Sequence, residues 1–115
     1  MRPTTRVVIT GMGWVTPLGV GLEPVWQALL AGKSGAGPIT YFDPTDFDVR
    51  FAAQVKGFDP KAYIEEREVR RLDPFAQYAV AAAVMSVQDA GIDFDRTDRT
   101  RCGVIVASGI GGLME

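Results

Sequence analysis

Residues 6–19 read RVVITGMGWVTPLG, and this stretch sets the expected fold class of the chain. The β-branched run at residues 6–10 predicts a buried strand that ends at Gly11. A loop punctuated by glycine and proline follows it. A second apolar run, at residues 103–107, predicts another buried strand. Strands that are apolar throughout are typical of sheets covered on both faces, so the sequence predicts an α/β architecture.

Helices are predicted between these two strands. The first begins near Pro24 and runs through Leu30, with Gly32 just beyond its end, where a left-handed conformation is easiest for glycine. Residues 51–55 predict a short strand. Asp59 and Pro60 then form an N-cap followed by a first-turn proline, which predicts a charged helix over residues 61–71.

The strongest helix is predicted at residues 75–90, where Asp73 and Pro74 repeat the same N-terminal pattern and Gly91 follows the end. Its many alanines predict close packing against another backbone. The expected core-facing stripe consists of five residues: Phe75, Ala79, Ala82, Ala83 and Val87.

Composition limits the possible functions. The chain has 115 residues and a net charge of −2, so it has no overall basic field to hold nucleic acid. No apolar run approaches the ~20 residues that span a bilayer, so we expect no membrane partner. A single cysteine fits a reducing compartment, and we expect the cytoplasm. The sequence stops after a strand and a glycine turn where a helix is expected, so we expect an incomplete domain.

The residues available for catalysis are few. The chain has no histidine, so a mechanism that needs an imidazole base must take it from elsewhere. Cys102 precedes a predicted strand and has no base beside it, which favours passive packing as a small buried side chain. The Gly11-Met12-Gly13 loop lacks the third glycine of a dinucleotide fingerprint, so a nucleotide-binding domain is the weakest alternative.

Three arginines form one candidate binding site. Arg67, Arg70 and Arg71 are spaced so that they share one face of a helix. Together they would attract an acidic or phosphorylated partner. The spacing alone favours a solvated helix face, because glutamates at positions 65, 66 and 68 are interleaved and could neutralise the arginines.

A second candidate site follows the strand at residues 103–107. There Ile110 stands alone among small residues, between Gly109 and Gly111. In open α/β sheets, ligands gather at the carboxyl ends of strands, and one apolar side chain there suits an apolar substrate. An ordinary turn fits the same position equally well, and the spacing leaves both open.

Taken in order, these segments resemble the ketosynthase (thiolase-like) family, specifically its type II elongating members, the β-ketoacyl-[acyl-carrier-protein] synthases. The resemblance covers the chain from Arg6 to Gly112 without obvious gaps. It rests on these matching stretches: residues 6–19, Leu30–Gly35, Phe42-Asp43, Arg70–Asp73, Gln77–Ala79 and Ser108–Gly112.

The resemblance implies a five-layered α-β-α-β-α fold, of which residues 1–115 would form an incomplete N-terminal half of the N-terminal domain. It implies a homodimeric acyltransferase that elongates acyl chains by decarboxylative Claisen condensation with malonyl-[acyl-carrier-protein] in fatty-acid biosynthesis. Such an enzyme needs no resident cofactor, because its substrates are carried on the phosphopantetheine of acyl carrier protein.

The resemblance also assigns roles, and it leaves the catalytic ones outside this chain. The family's nucleophilic cysteine and two histidines match no residue here, so the chain alone is expected to be inactive. Ile110, with Gly109 and Gly111, matches the acyl-pocket gate of type II enzymes. Arg67, Arg70 and Arg71 match positions that contact acyl carrier protein, which reverses the preference for a solvated face. A non-catalytic carrier-protein-binding module is the alternative function.

Overall fold

The computed structural model describes residues 4–112. Their strands form two separate two-stranded antiparallel sheets, β1 with β2 and β3 with β4. In chain order the elements are β1 Val15–Thr16, β2 Gly19–Val20, α1 Leu22–Leu30, β3 Ala36–Pro38, β4 Phe51–Ala53, a 3₁₀ turn at Pro60–Ala62, α2 Glu66–Val69, α3 Pro74–Ala90 and a 3₁₀ turn at Arg99–Arg101. Within residues 4–112, no helix has both the length and the apolar character needed to cross a membrane.

The first sheet is a tight hairpin that leads into α1. The Thr16 hydroxyl accepts a hydrogen bond from the Leu18 amide (3.1 Å) and donates one to the Gly19 carbonyl (3.2 Å), which closes the turn with one side chain. Helix α1 buries Val25 and Ala28 and begins at Leu22, two residues before the predicted start.

The end of α1 confirms the expectation for Gly32. This residue has a φ of 64°, in the left-handed region. The amide of Lys33 reaches back to the Ala28 carbonyl at 3.0 Å, and the amide of Gly32 reaches the Leu29 carbonyl at 3.0 Å. These bonds satisfy carbonyl groups that the helix itself leaves without partners.

The predicted strand at residues 51–55 is confirmed, although only its first three residues pair, with Phe51 opposite Pro38 and Ala53 opposite Ala36. Gln54 follows directly and is buried. Its side-chain oxygen accepts hydrogen bonds from the amide (2.9 Å) and the hydroxyl (3.1 Å) of Thr40. This side chain therefore continues the pairing of the two chain segments beyond the end of the sheet.

The predicted charged helix at residues 61–71 is wrong as a single element. Asp59 does act as an N-cap, and its carboxylate accepts from the Lys61 amide at 3.0 Å. The turn that it starts ends at Ala62, and α2 begins only at Glu66. Ile64 is buried between these two pieces, so tertiary packing interrupts the helix that the local pattern favours.

Helix α3 confirms the strongest prediction, although the side chain of its N-cap residue, Asp73, makes no capping hydrogen bond. It begins at Pro74 and ends at Gly91, whose φ of 60° is left-handed. The expected close packing against another backbone is also present: a Cβ placed on Gly11 would lie 2.5 Å from the Ala90 amide nitrogen, and one on Gly13 would overlap the Ala82 carbonyl. The glycines of the first loop therefore let it lie directly on α3.

The core-facing stripe predicted on α3 is wrong in detail. The fully buried residue of this helix is Ala81, which the stripe omits, whereas Phe75 is 41% exposed and Ala83 is exposed. Four stripe residues, Ala79, Ala82, Ala83 and Val87, instead line an open groove of about 580 Å³, which residues 11–14 and 103–106 also border. The stripe thus points toward the predicted strands without being covered by them.

The two buried strands predicted at residues 6–10 and 103–107 are wrong for the described chain. Both segments lack paired strand structure. Val7 is 89% exposed and Ile105 is 98% exposed. A strand needs hydrogen-bonded neighbours on its edges and side chains over its faces, and within residues 4–112 neither segment has them.

The expectation of a buried Cys102 is also wrong. This cysteine is free and exposed. It follows the 3₁₀ turn at Arg99–Arg101, and its thiol lies 3.5 Å from the Asp98 carbonyl oxygen. The strand that would have buried it does not form, so the thiol stays at the surface.

Candidate functional site

The three predicted arginines come together in the structure. We call Arg67, Arg70 and Arg71 the arginine cluster; they line, with Glu66, one cavity of about 500 Å³. Only Arg67 lies within α2, because this helix ends at Val69 and Arg70 is its C-terminal capping residue. A short helix and the turn after it therefore create the shared face that the spacing predicted.

The arginine cluster is exposed and only partly neutralised. The side chains of Arg67, Arg70 and Arg71 are 76%, 79% and 68% exposed. Glu68 lies 3.3 Å from Arg67 and 3.4 Å from Arg71, whereas Glu66 lies 3.8 Å from Arg70. Exposed ion pairs of this kind contribute about 0–1 kcal/mol each, so a partner's carboxylates or phosphates can replace them at little cost.

A fourth cation adjoins the cluster. The Lys61 ammonium lies 2.8 Å from the same Glu66 oxygen that faces Arg70. Over residues 61–71, four cations stand against three carboxylates, because Glu65 adds to Glu66 and Glu68, so the excess of positive charge is one. Sequence spacing missed Lys61, because the expected continuous helix over residues 61–71 did not include the break between Ala62 and Glu66 that the structure shows.

The loop that carries Ile110 lies over the N-terminus of α3. Gly111 has a φ of 79°, and a Cβ placed there would lie 3.8 Å from the Phe75 ring. Its amide donates to the Ser108 hydroxyl at 3.0 Å. A Cβ on Gly112 would overlap the Asp73 carboxylate. The positive φ favours glycine at position 111, whereas a side chain at position 112 would require the exposed Asp73 carboxylate to rotate away.

Ile110 itself projects from this loop and is 77% exposed. A Cβ on Gly109 would meet nothing within 4 Å. The described residues thus hold the isoleucine on a short glycine loop without enclosing it. A substrate pocket around Ile110 would need further walls, so its predicted role, and those of Gly109 and Gly111, stay predictions.

The Ile110 loop and the segment that carries the arginine cluster both contact the start of α3. Asp73 and Phe75 contact the loop, and two residues along, the Gln77 amide contacts the segment that carries the arginines. Tyr78 packs edge-on against Phe58, with ring centroids 5.0 Å apart. Burial raises the pKa of the Tyr78 hydroxyl, and the neighbouring Tyr41 adds to the rise, so Tyr78 stays neutral as a packing residue.

Catalytic chemistry has few candidates in this arrangement. The sequence contains no histidine, and the Cys102 thiol contacts a carbonyl oxygen where a nucleophile would need a base. Within residues 4–112, no three His, Cys, Asp or Glu side chains are grouped to hold a metal ion. What the described residues can offer chemically is an electrostatic surface and an apolar side chain on a loop.

Residues 4–115 match the family described as Beta-ketoacyl synthase, N-terminal domain, and the chain belongs to this family. It is 46% identical over 108 residues to the 3-oxoacyl-[acyl-carrier-protein] synthase 2 of Vibrio cholerae serotype O1, and equally to that of Coxiella burnetii. Each alignment covers 94% of this chain and 26% of the relative. The chain thus spans about a quarter of the length of the curated relatives it matches.

Among solved structures, the ishigamide ketosynthase/chain length factor is similar, with a TM-score of 0.70 and 42% identity. The alignment covers 76% of this chain and 22% of that one. Family and neighbour confirm the predicted fold class, the N-terminal part of a thiolase-like α/β fold. The paired strands alone do not identify this fold class, because in the described residues they form only two separate two-stranded sheets.

Proposed function

We propose that this chain provides the carrier-docking and acyl-lining portion of an elongating 3-oxoacyl-[acyl-carrier-protein] synthase of type II. The reaction is the decarboxylative condensation of an acyl chain with malonyl-[acyl-carrier-protein] in fatty-acid biosynthesis. The relatives that bear this name support the proposal through 46% identity over nearly the whole chain. Residues 1–115 would form an incomplete N-terminal half of the enzyme's N-terminal domain.

The residues that are present decide which parts of the proposed enzyme this chain supplies. The acyl-accepting cysteine and the two histidines lie outside these residues, so the chain alone is inactive. Ile110, with Gly109 and Gly111, borders the acyl pocket once other segments enclose it. The enzyme works as a cytoplasmic homodimer. It holds no cofactor of its own, since the phosphopantetheine of acyl carrier protein carries both substrates.

The arginine cluster is the observation on which the proposal depends. Exposed guanidinium groups are held around one cavity on a chain whose net charge is −2. A local positive surface on an acidic protein steers an acidic partner to one place, and it raises the association rate more than the final affinity. Acyl carrier protein is the acidic partner that fits this surface.

The test reverses the charge of Arg67, Arg70 and Arg71 together, with each changed to Glu, in the full-length product of the gene. We expect the association rate with acyl carrier protein at low ionic strength to fall by about tenfold or more. The difference should shrink as salt is added, because screening acts on exposed charges. Stopped-flow measurement at several salt concentrations gives both quantities.

Arg96→Glu is the matched control, because Arg96 is an exposed arginine outside the cluster. It should leave the association rate within about twofold, because it reverses one charge outside the cluster instead of three within it. If the triple variant associates as fast as the unchanged protein, the arginine cluster is not the docking surface and the proposal fails.

A non-catalytic carrier-binding module is the second candidate, favoured by the same surface together with the absence of histidine. An assay of the condensation reaction distinguishes the two candidate functions. The full-length product should convert acyl- and malonyl-loaded carrier protein to 3-oxoacyl product, whereas a binding module would bind both without turnover.

A further inference from the structure

The segment that carries the arginine cluster is tied to α3 by one side chain. The Gln77 amide nitrogen donates to the Val69 carbonyl at 3.1 Å and to the Leu72 carbonyl at 2.8 Å. These two carbonyls bracket Arg70 and Arg71 in the chain. A single amide group therefore holds both ends of the turn from which two of the three arginines project.

The turn has little else to fix its shape. Helix α2 has four residues, which is too short to be stable by itself. The backbone bonds that continue beyond it are those of the Arg71 amide to Glu68 (2.9 Å) and of the Leu72 amide to Val69 (3.4 Å), the second of which is long. Carbonyl groups at a helix end need partners from outside the helix, and Gln77 supplies them.

The ion pairs of the cluster cannot replace this anchor. Each joins a well exposed arginine to a glutamate that is 39% or 61% exposed, and such pairs fix geometry weakly. Gln77 is partly buried, so its donor is costly to leave without a partner. The positions of Arg70 and Arg71 are therefore set by the backbone of the turn, which Gln77 holds against α3.

We propose that Gln77 is a positioning residue for carrier docking: it fixes the turn at residues 69–72 so that Arg70 and Arg71 face the same cavity as Arg67. The inference rests on the proposed function, because it assigns Gln77 a role in binding the acidic carrier protein. It predicts that Gln77 affects docking without contacting the partner.

The test uses Gln77→Met in the full-length product, which keeps the length of the side chain and removes the donor. We expect the dissociation constant for acyl carrier protein to rise about three- to tenfold, because the two hydrogen bonds that hold the turn are lost and Arg70 and Arg71 are no longer fixed beside Arg67. Gln88→Met is the matched control, because Gln88 is an exposed glutamine of the same helix. It should leave the dissociation constant unchanged.

A double-mutant cycle separates positioning from general destabilisation. In a background where Arg70 and Arg71 are both changed to Gln, Gln77→Met should have little further effect on binding, because it acts through those arginines. Gln77→Asn, which retains the amide but is too short to reach both carbonyls, should weaken binding to an intermediate extent. Thermal unfolding of each variant verifies that the protein remains folded.

The possible failures are distinguishable. If the arginine variants bind normally, the proposed docking surface is wrong. If the arginine variants bind weakly but Gln77→Met and Gln77→Asn bind normally, the positioning inference alone is overturned. An equal loss from Gln77→Met with and without the two arginines also overturns it, because the residue would then act independently of them.

Discussion

Helix α3 and the segment at residues 103–107 are both strongly apolar, yet only the helix forms regular structure in the described chain. Every backbone bond inside a helix joins residues four apart, so α3 can form from its own sequence between Pro74 and Ala90. A strand takes its bonds from neighbours that are distant in sequence. Residues 103–107 lack such neighbours within residues 4–112, and Ile105 is 98% exposed. Apolar character alone therefore predicts regular structure only where the hydrogen-bond partners are local.

The largest expected difference in the free energy of unfolding is between a proline substitution in α3 and one in residues 103–107. In the 115-residue chain, Ala82→Pro should cost about 3 kcal/mol or more of the free energy of unfolding, because proline removes a helical hydrogen bond and clashes with the preceding turn. Ile105→Pro should change it by less than about 0.5 kcal/mol, as expected for an exposed position with no paired amide. Urea unfolding followed by far-UV circular dichroism measures both.

A large loss in the free energy of unfolding on Ile105→Pro would contradict this expectation, because it would show that residues 103–107 are paired in solution. A small cost for Ala82→Pro would equally contradict it, since α3 would then contribute little to the folded chain.

The sequence predicted those parts of the fold whose cause is local. Gly32 and Gly91 end helices in left-handed conformations that other residues adopt at a cost. Asp59 caps a turn with its own carboxylate. Each signal acts within a few residues, so one stretch of sequence is sufficient to identify it.

The parts that the sequence did not predict depend on distant contacts. The stripe on α3 was assigned from period alone, but the helix is buried at Ala81, and its predicted face borders an open groove. The interruption before Glu66 accompanies the burial of Ile64. Helical periodicity contains no information on which neighbour covers a face, so these features require tertiary structure.

The candidate site shows the same limit. The arginine cluster was predictable from spacing and resemblance together, and its shared cavity is present in the structure. Lys61 was not predicted, because the expected single helix over residues 61–71 did not include the break that the structure shows after Ala62. The two contacts of Gln77 were not predicted, because they connect segments that the sequence places in separate elements. The environment of Ile110 depends on walls that the described residues do not supply.

A smaller difference in stability is expected between two glycine variants, one in the loop that lies on α3 and one at the start of residues 103–107. Gly13→Ala should cost roughly 1–3 kcal/mol, because its Cβ would overlap the Ala82 carbonyl and lie 2.8 Å from the Met85 Cβ, so the loop or the helix must shift. Gly103→Ala should change stability by less than about 0.5 kcal/mol, because a Cβ there would meet nothing within 4 Å. Thermal unfolding of the two variants sharpens the comparison, and equal costs would show that the first loop does not lie on α3.

The smallest expected effect tests how far local bonds alone order the chain next to residues 103–107. The Asp98 carboxylate accepts from the Thr100 hydroxyl at 2.6 Å and from the Thr100 amide at 3.0 Å. Both bonds lower the pKa of Asp98 below its ordinary value of 3.8, and the bond from the Thr100 hydroxyl contributes more than the bond from the amide. A lowered pKa means that the bonds stabilise the turn above the ordinary pKa and lose that effect as the pH falls through the folded value.

Thr100→Val removes the hydroxyl donor, so the pKa of Asp98 should rise toward 3.8, whereas Thr100→Ser should keep it low. The Asp43 carboxylate, which accepts from the Thr45 hydroxyl in a separate loop and also has a lowered pKa, serves as the internal control and should not change. An NMR titration of the carboxyl carbons reads both groups in one experiment. An ordinary pKa for Asp98 in the unchanged chain would show that the turn does not form by itself. Local hydrogen bonds would then be insufficient to order the chain next to residues 103–107, and the contrast with α3 would include this turn.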